Sequence, residues 1–215
     1  MRKPDRDYRR EEQKQVHMMM RGMERVMDKE RMGAFIDAIW AIIMTILVLE
    51  LEKPAHMSWG ALWELRENFF AYVLSFVWLG FNWLDLHYDW QYVTKITRKT
   101  GLAVLNLLLW SSFMPYATSI MAKNFQNTSA QIFYGVIVML ITLSTELLYR
   151  TLTFQEATSQ EMKVYRIFRD KMLARDITTK LVALLISVFV YPPFMAYGIL
   201  IGILFINIPR DVKGY

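Results

Sequence analysis

The chain has 215 residues, of which 54% are hydrophobic and 21% charged, with 7 Trp, 11 Tyr, 13 Phe and 15 Met. That aromatic load and a mean hydropathy of +0.20 point to an integral membrane protein rather than a soluble domain. Cysteine is absent, which excludes disulfides, thiolate metal sites and cysteine nucleophiles, while the net charge of +5 raises nucleic acid as a partner until the placement of the charges is considered.

Residues 1–30 are dense in both charge signs, with Val16, Met19, Met20, Met23 and Val26 or Met27 at helical spacing. An amphipathic cytoplasmic or interfacial helix is predicted there, and no secretory signal. Apolar segments follow at about 34–51, 61–88, 102–122 and 131–152. A fifth and a sixth share 177–208, where Pro192-Pro193 forces a break because neither residue donates a helix hydrogen bond. Each half is roughly fifteen residues, below the ~20 of a full span, so one element there is tilted or re-entrant. The expected fold is all-α with six transmembrane helices per subunit, and no internal repeat or linker divides the chain.

Charge placement sets the topology. With a cytoplasmic N-terminus, 22 of the 25 lysines and arginines fall in 1–31, 89–101, 150–180 and 210–215, leaving Lys53, Arg66 and Lys123 outside. The positive-inside rule then predicts an even number of spans with both termini cytoplasmic. Topology therefore accounts for the basic character, and no nucleic-acid partner is expected. The predicted divisions are a charged segment 1–30, a six-helix domain 31–209 and a short tail 210–215.

The first apolar segment carries the most information. Phe35, Ile39, Ile42, Ile46 and Leu49 fall on one stripe, with Thr45 at its margin. Most such stripes in membranes mark lipid contact or helix packing; the other reading is a pore lining in which bulky side chains form a constriction that gates by dewetting. Spacing does not decide between them. At its start, Arg31 and Asp37 are six residues apart and cannot pair as helix neighbours. Asp37 therefore either caps a helix or finds a donor on another one, with Trp83, Asp85 and His87 at the right depth.

Other polar groups carry less. Asn82 and Asn106 fit interhelical hydrogen-bonding roles, and Glu146 fits an interhelical pair or a proton relay. His17, His56 and His87 are scattered, with no HExxH, so no metal site is expected. No GxSxG, P-loop or dinucleotide fingerprint occurs, and neither a catalytic site nor a cofactor is expected. Asn127-Thr128-Ser129 matches a glycosylation acceptor triplet.

The first helix resembles the signature of the transmembrane protein 175 family of potassium-permeable channels, R-x-x-x-F-S-D followed by an apolar run ending in T-L-L-V-L-E. Here Arg31, Phe35, Ile36 and Asp37 occupy the first part, and the run from Thr45 to Glu50 reads TILVLE. Tyr72-VL-Ser75-Phe76 and Trp83-LDL-His87 resemble Y-x-x-S-F and W-x-x-H-H of the same family. Asn106-LLLWSSFM-Pro115-Tyr116-A-Thr118 is similar to N-L-L-L…P-F-x-T, and Ile208-Pro209 to the terminal I-P.

The resemblance implies a homotetramer in the bilayer whose first helices line a pore for monovalent cations, potassium above all, without a carbonyl-loop filter. Ile42, Ile46 and Leu49 would form the constriction and Thr45 a hydroxyl ring. Arg31, Phe35, Asp37, Trp83 and His87 would form the supporting network. A prokaryotic plasma membrane is the implied location. The chain departs from the signature at Ile36, in place of serine, and at Leu86, in place of the first paired histidine. The alternative expectation is a proton conductor or proton-coupled transporter using Asp37, His87 and Glu146.

Overall fold

A computed structural model describes residues 11–15, 28–154 and 160–207. Residues 11–15 are helical and exposed. The rest of the expected N-terminal helix, Ile208-Pro209 and the tail 210–215 lie outside the described residues.

Helix α1, Lys29–Leu49, starts where the Asp28 carboxylate accepts hydrogen bonds from the backbone amides of Glu30 and Arg31. Asp28, not Asp37, is therefore the N-cap, which satisfies two of the free amides at a helix start. At 1.5 Å per residue the 21 residues extend about 31 Å, the thickness of a hydrocarbon core. Ile36, Trp40, Ile43 and Leu47 recur at helical spacing and form its buried face.

A short helix α2, Trp59–Glu64, capped by Ser58, leads into α3, Arg66–Gln91. The third apolar segment is two helices, α4 (Arg98–Ser112) and α5 (Met114–Lys123). They meet at Phe113 because Pro115 has no amide proton to offer the Ser111 carbonyl one turn back. Helix α6 spans Thr128–Thr151 and begins at Asn127, whose side-chain oxygen accepts from the Ser129 and Ala130 amides. The glycosylation-like triplet is thus a helix cap.

Two expectations need correction. The fold is not purely helical: β1 (Val93–Lys95) pairs antiparallel with β2 (Thr153–Phe154), Val93 opposite Phe154. This ladder ties the α3–α4 connection to the end of α6, and the Thr100 hydroxyl adds a bond to the Thr151 carbonyl at 3.2 Å. The stretch before Pro192-Pro193 is not a short half-helix either. It ends α7, Gln160–Phe189, a 30-residue helix whose first half is charged. The short element is α8, Phe194–Gly202, continued by a π-helical turn to Asn207.

Among the described residues, four stretches are long and apolar enough to cross a membrane: α1, α3, α4 with α5, and α6, with a shorter apolar helix at Phe194–Phe205. The chain is thus a mostly helical multi-pass membrane protein. Its core runs through the bundle and includes Trp40, Leu47, Leu79, Leu107, Tyr134 and Ile141. Helices α7 and α8 approach closely at Gly198, where a Cβ would come within 2.2 Å of the Ala183 Cβ.

Candidate functional site

Helix α1 divides cleanly into faces. Its buried face packs on α3, α4 and α5, whereas Phe35, Ile42, Ile46 and Leu49 are exposed, Ile42 at 53% and Leu49 at 78%. Ile39, placed on the same stripe by spacing, is half-buried and packs against the core. From Ile42 to Leu49 the exposed apolar residues cover about 10 Å along the helix axis. Thr45 is exposed among them, and its hydroxyl lies 3.0 Å from the Ala41 carbonyl and 2.9 Å from that of Ile42. With its single proton given to the backbone, the oxygen presents lone pairs outward, as an acceptor.

Behind this face, α1 is fastened to α3 in antiparallel register. The Lys29 ammonium donates to the Gln91 carbonyl at 3.1 Å, and the Trp90 indole to the Lys29 carbonyl at 3.4 Å. The Trp83 indole donates to the Asp37 carboxylate at 2.8 Å, and the buried Trp40 indole to the Leu79 carbonyl at 3.2 Å. Asp37 thus takes its donor from another helix, and His87 stacks on the Trp83 ring with centroids 5.2 Å apart. Gly33 permits the approach of Trp90, because a Cβ there would lie 3.0 Å from the indole nitrogen.

Arg31 is not brought to Asp37. Arg31 and Phe35 line an open trough against α4, while Asp37, Trp83 and His87 line a small cavity between α1 and α3. Both departures from the signature, Ile36 and Leu86, line that same small cavity and are buried at 3% and 5%. The two aliphatic side chains share the lining of that cavity with Asp37, Trp83 and His87. That is a consistent pair of changes, since one buried polar group facing one aliphatic group would be left unsatisfied.

Two further motif positions meet. The Thr118 hydroxyl on α5 donates to Ser75 Oγ on α3 at 2.9 Å, and Ser75 lies 3.0 Å from the Tyr134 hydroxyl on α6. Asn106 donates to Ser144 Oγ at 2.7 Å across α4 and α6, as expected. Asn82 does not bridge helices, because its amide donates to the Trp78 carbonyl of its own helix at 2.7 Å.

Glu146 is held by Arg150 at 2.6 Å and Arg169 at 2.9 Å. Arg169 also reaches Asp89 at 3.5 Å and lies over the Tyr149 ring. Glu146 therefore sits in an interhelical ion-pair cluster, lining a different cavity from that of Asp37 and His87. Lys180, in the apolar half of α7, is buried with Asp176 and the Thr142 hydroxyl as partners. Sequence reasoning missed the roles of Arg169 and Lys180, since both count there as ordinary cytoplasmic charges. No cluster able to hold a metal ion occurs among the described residues.

Residues 31–115 match the family model described as the endosomal/lysosomal potassium channel TMEM175. A potassium channel of Chryseobacterium sp. (strain P1-3) is 33% identical over 137 residues, 64% of this chain and 71% of that protein. The chain belongs to the TMEM175 family. A potassium channel of Streptomyces collinus is 26% identical over 57% of this chain and 61% of its own length. The endosomal/lysosomal proton channel TMEM175 of Gallus gallus is 35% identical over 42% of this chain, which spans only 21% of that protein.

The TMEM175 fold extends beyond the matched residues. The crystal structure of a lysosomal potassium-selective channel TMEM175 homolog from Chamaesiphon minutus aligns with a TM-score of 0.68 at 23% identity. The alignment covers 82% of this chain and 95% of that one. The matched residues contain α1 from Arg31 onward, its Asp37–Trp83 and Trp40–Leu79 bonds to α3, and the α4 wall of the Arg31 trough.

Proposed function

We propose that this chain is one subunit of a homotetrameric, potassium-permeable cation channel in the prokaryotic plasma membrane. Each subunit contributes six helices from the domain 31–209, and both termini are cytoplasmic. The first helices line the pore. Ile42, Ile46 and Leu49 form its constriction and Thr45 a ring of hydroxyl oxygens at the same depth. Phe35, Asp37, Trp83 and His87 support α1 from the cytoplasmic end, with Arg31 at the mouth. The observation that carries this reading is the two-faced α1: one side is anchored by indole hydrogen bonds, and the other leaves a bulky aliphatic row uncovered.

An aliphatic ring of this kind limits conduction by excluding water from the narrowest point. Replacing Ile42 by Asn puts polar groups that hold water there on a somewhat smaller side chain. Planar-bilayer recording of I42N is expected to give a larger potassium conductance than the parent. Unchanged current would remove Ile42 from the constriction.

A second reading, proton conduction, is favoured by the vertebrate relatives that carry the name proton channel. The relay of Asp37, His87 and Glu146 gains no support from geometry, since Glu146 is bound to two arginines in a separate cavity. Proton flux, if present, runs along the same α1-lined path. Current measured at fixed potassium gradient and varied pH separates the two readings.

A further inference from the structure

At the cytoplasmic ends of α1 and α4 lies an open trough of about 640 Å³, within the size range of small-molecule sites, about 300–1,000 Å³. Its polar end carries Arg31 and Arg98, and its walls are Met32, Phe35, Leu102 and Leu105. Phe35 is 45%, Leu102 59% and Leu105 55% exposed. Among the described residues neither guanidinium has an ion-pair partner. Asp28 also lines the trough; its Oδ1 accepts from the α1 amides, and its single negative charge leaves the polar end with a net positive charge from the two arginines.

We propose that this trough binds an anionic phospholipid, with the headgroup phosphate between Arg31 and Arg98 and an acyl chain along Leu102 and Leu105 of α4, away from the pore-lining row. The proposal rests on the channel reading for its orientation, which puts the arginines at the cytoplasmic leaflet. The order of groups argues for a lipid. Two charge-bearing forks stand at headgroup level, and hydrocarbon begins one turn deeper, with no polar side chain among the four wall residues. A peptide segment in the same place would bring backbone amides and carbonyls that this wall cannot satisfy. Basic pockets between helices on the cytoplasmic side are the expected form of headgroup sites.

Electrostatics gives the site a purpose. Arg31 and Phe35 lie on the same face of α1 as Ile42, Ile46 and Leu49, so the headgroup would sit beside the inner mouth. A mouth ringed by unneutralised arginines repels the cations it must pass. A bound phosphate cancels that field and leaves the arginines in place.

The test is native mass spectrometry of the purified full-length chain after exchange into mixed phosphatidylglycerol and phosphatidylcholine nanodiscs. The parent is expected to retain phosphatidylglycerol preferentially. Each arginine near a headgroup contributes about 1 kcal/mol, so Arg98→Gln should lower that preference about fivefold. Arg98→Lys, which keeps the charge, should restore most of it. Inorganic phosphate at millimolar concentration should not displace the lipid.

Equal retention of both lipids by parent and R98Q would overturn the proposal. So would displacement by phosphate alone, which would mark a simple anion site. Efficient cross-linking of Leu105→Cys to a neighbouring copy, without lipid retention, would assign the trough to a second chain and overturn it as well. Retention is read without any current, so a chain that binds phosphatidylglycerol but carries no potassium would sink the channel reading alone.

Discussion

At the scale of single residues, the first helix shows how a polar atom in an apolar stretch is used according to where its hydrogen goes. Thr45 gives its proton to the preceding turn and turns an acceptor oxygen outward. If that oxygen faces the pore, Thr45→Ala removes an acceptor from the cation's path without touching the packed face of α1. The expected outcome is a shifted reversal potential under mixed potassium and sodium, and an identical one would deny Thr45 any part in selectivity. Trp40 and Trp83 show the converse: the Trp40 indole on α1 donates to the Leu79 carbonyl on α3, and the Trp83 indole on α3 donates to Asp37 on α1. Spacing ruled out a local pair with Arg31 and left Asp37 as either a helix cap or the partner of a donor on another helix. It could not tell Trp83 from His87, since both lie on nearby turns at the same depth. Ile39 is misplaced by the same reasoning, because its stripe runs along the boundary between the buried and uncovered faces.

At the scale of elements, periodicity and proline placement locate most helices, and charge hides the rest. The segments at 34–51, 61–88 and 131–152 reappear as α1, α3 and α6. Helix α7 is longer than expected because hydropathy is blind to its charged first half, in which exposed Asp170, Lys171 and Arg175 accompany the paired Arg169 and Asp176. Its apolar part after residue 176 is roughly 13 residues, about 20 Å, short of a ~30 Å hydrocarbon core. In the proposed six-helix arrangement the membrane segment of α7 takes in the turn that carries Asp176, whose charge is paired with Lys180. The β1–β2 ladder escaped notice because two and three residues carry too little alternation to read. The turn between α7 and α8 follows from Pro192-Pro193, but the closeness of the two helices depends on Gly198. Gly198→Val would force side-chain carbons into Ala183, and overpacking of this kind costs about 1–3 kcal/mol. Thermal unfolding in detergent should show a clear fall in Tm for G198V. Gly60→Ala is the matched control, because a methyl there meets only the Ser58 hydroxyl at 3.8 Å. Equal melting of the two variants would mean the hairpin tolerates separation.

At the scale of the whole molecule, the bundle is closed by polar contacts between helices far apart in sequence. Asp89 on α3, Glu146 on α6 and Arg169 on α7 meet at one end, and Ser75, Thr118 and Tyr134 join α3, α5 and α6 deeper in. Lys180 has a consequence for how the chain enters its membrane. A lysine near the middle of an inserting helix opposes insertion by about 2.5–3.5 kcal/mol. Its hydroxyl partner, Thr142, belongs to the preceding helix. Helix α7 is consequently a poor candidate for independent partitioning from the translocon and a good one for entry alongside α6. In a glycosylation-mapping assay, α7 presented alone should insert less completely than the α6–α7 pair, and Lys180→Leu should erase the difference. Equal insertion of α7 alone and paired would mean the lysine sets no order. On the expected outcome, the same ammonium that steadies the finished bundle also schedules its assembly, with α6 waiting in the bilayer as the receptor for the helix synthesised after it.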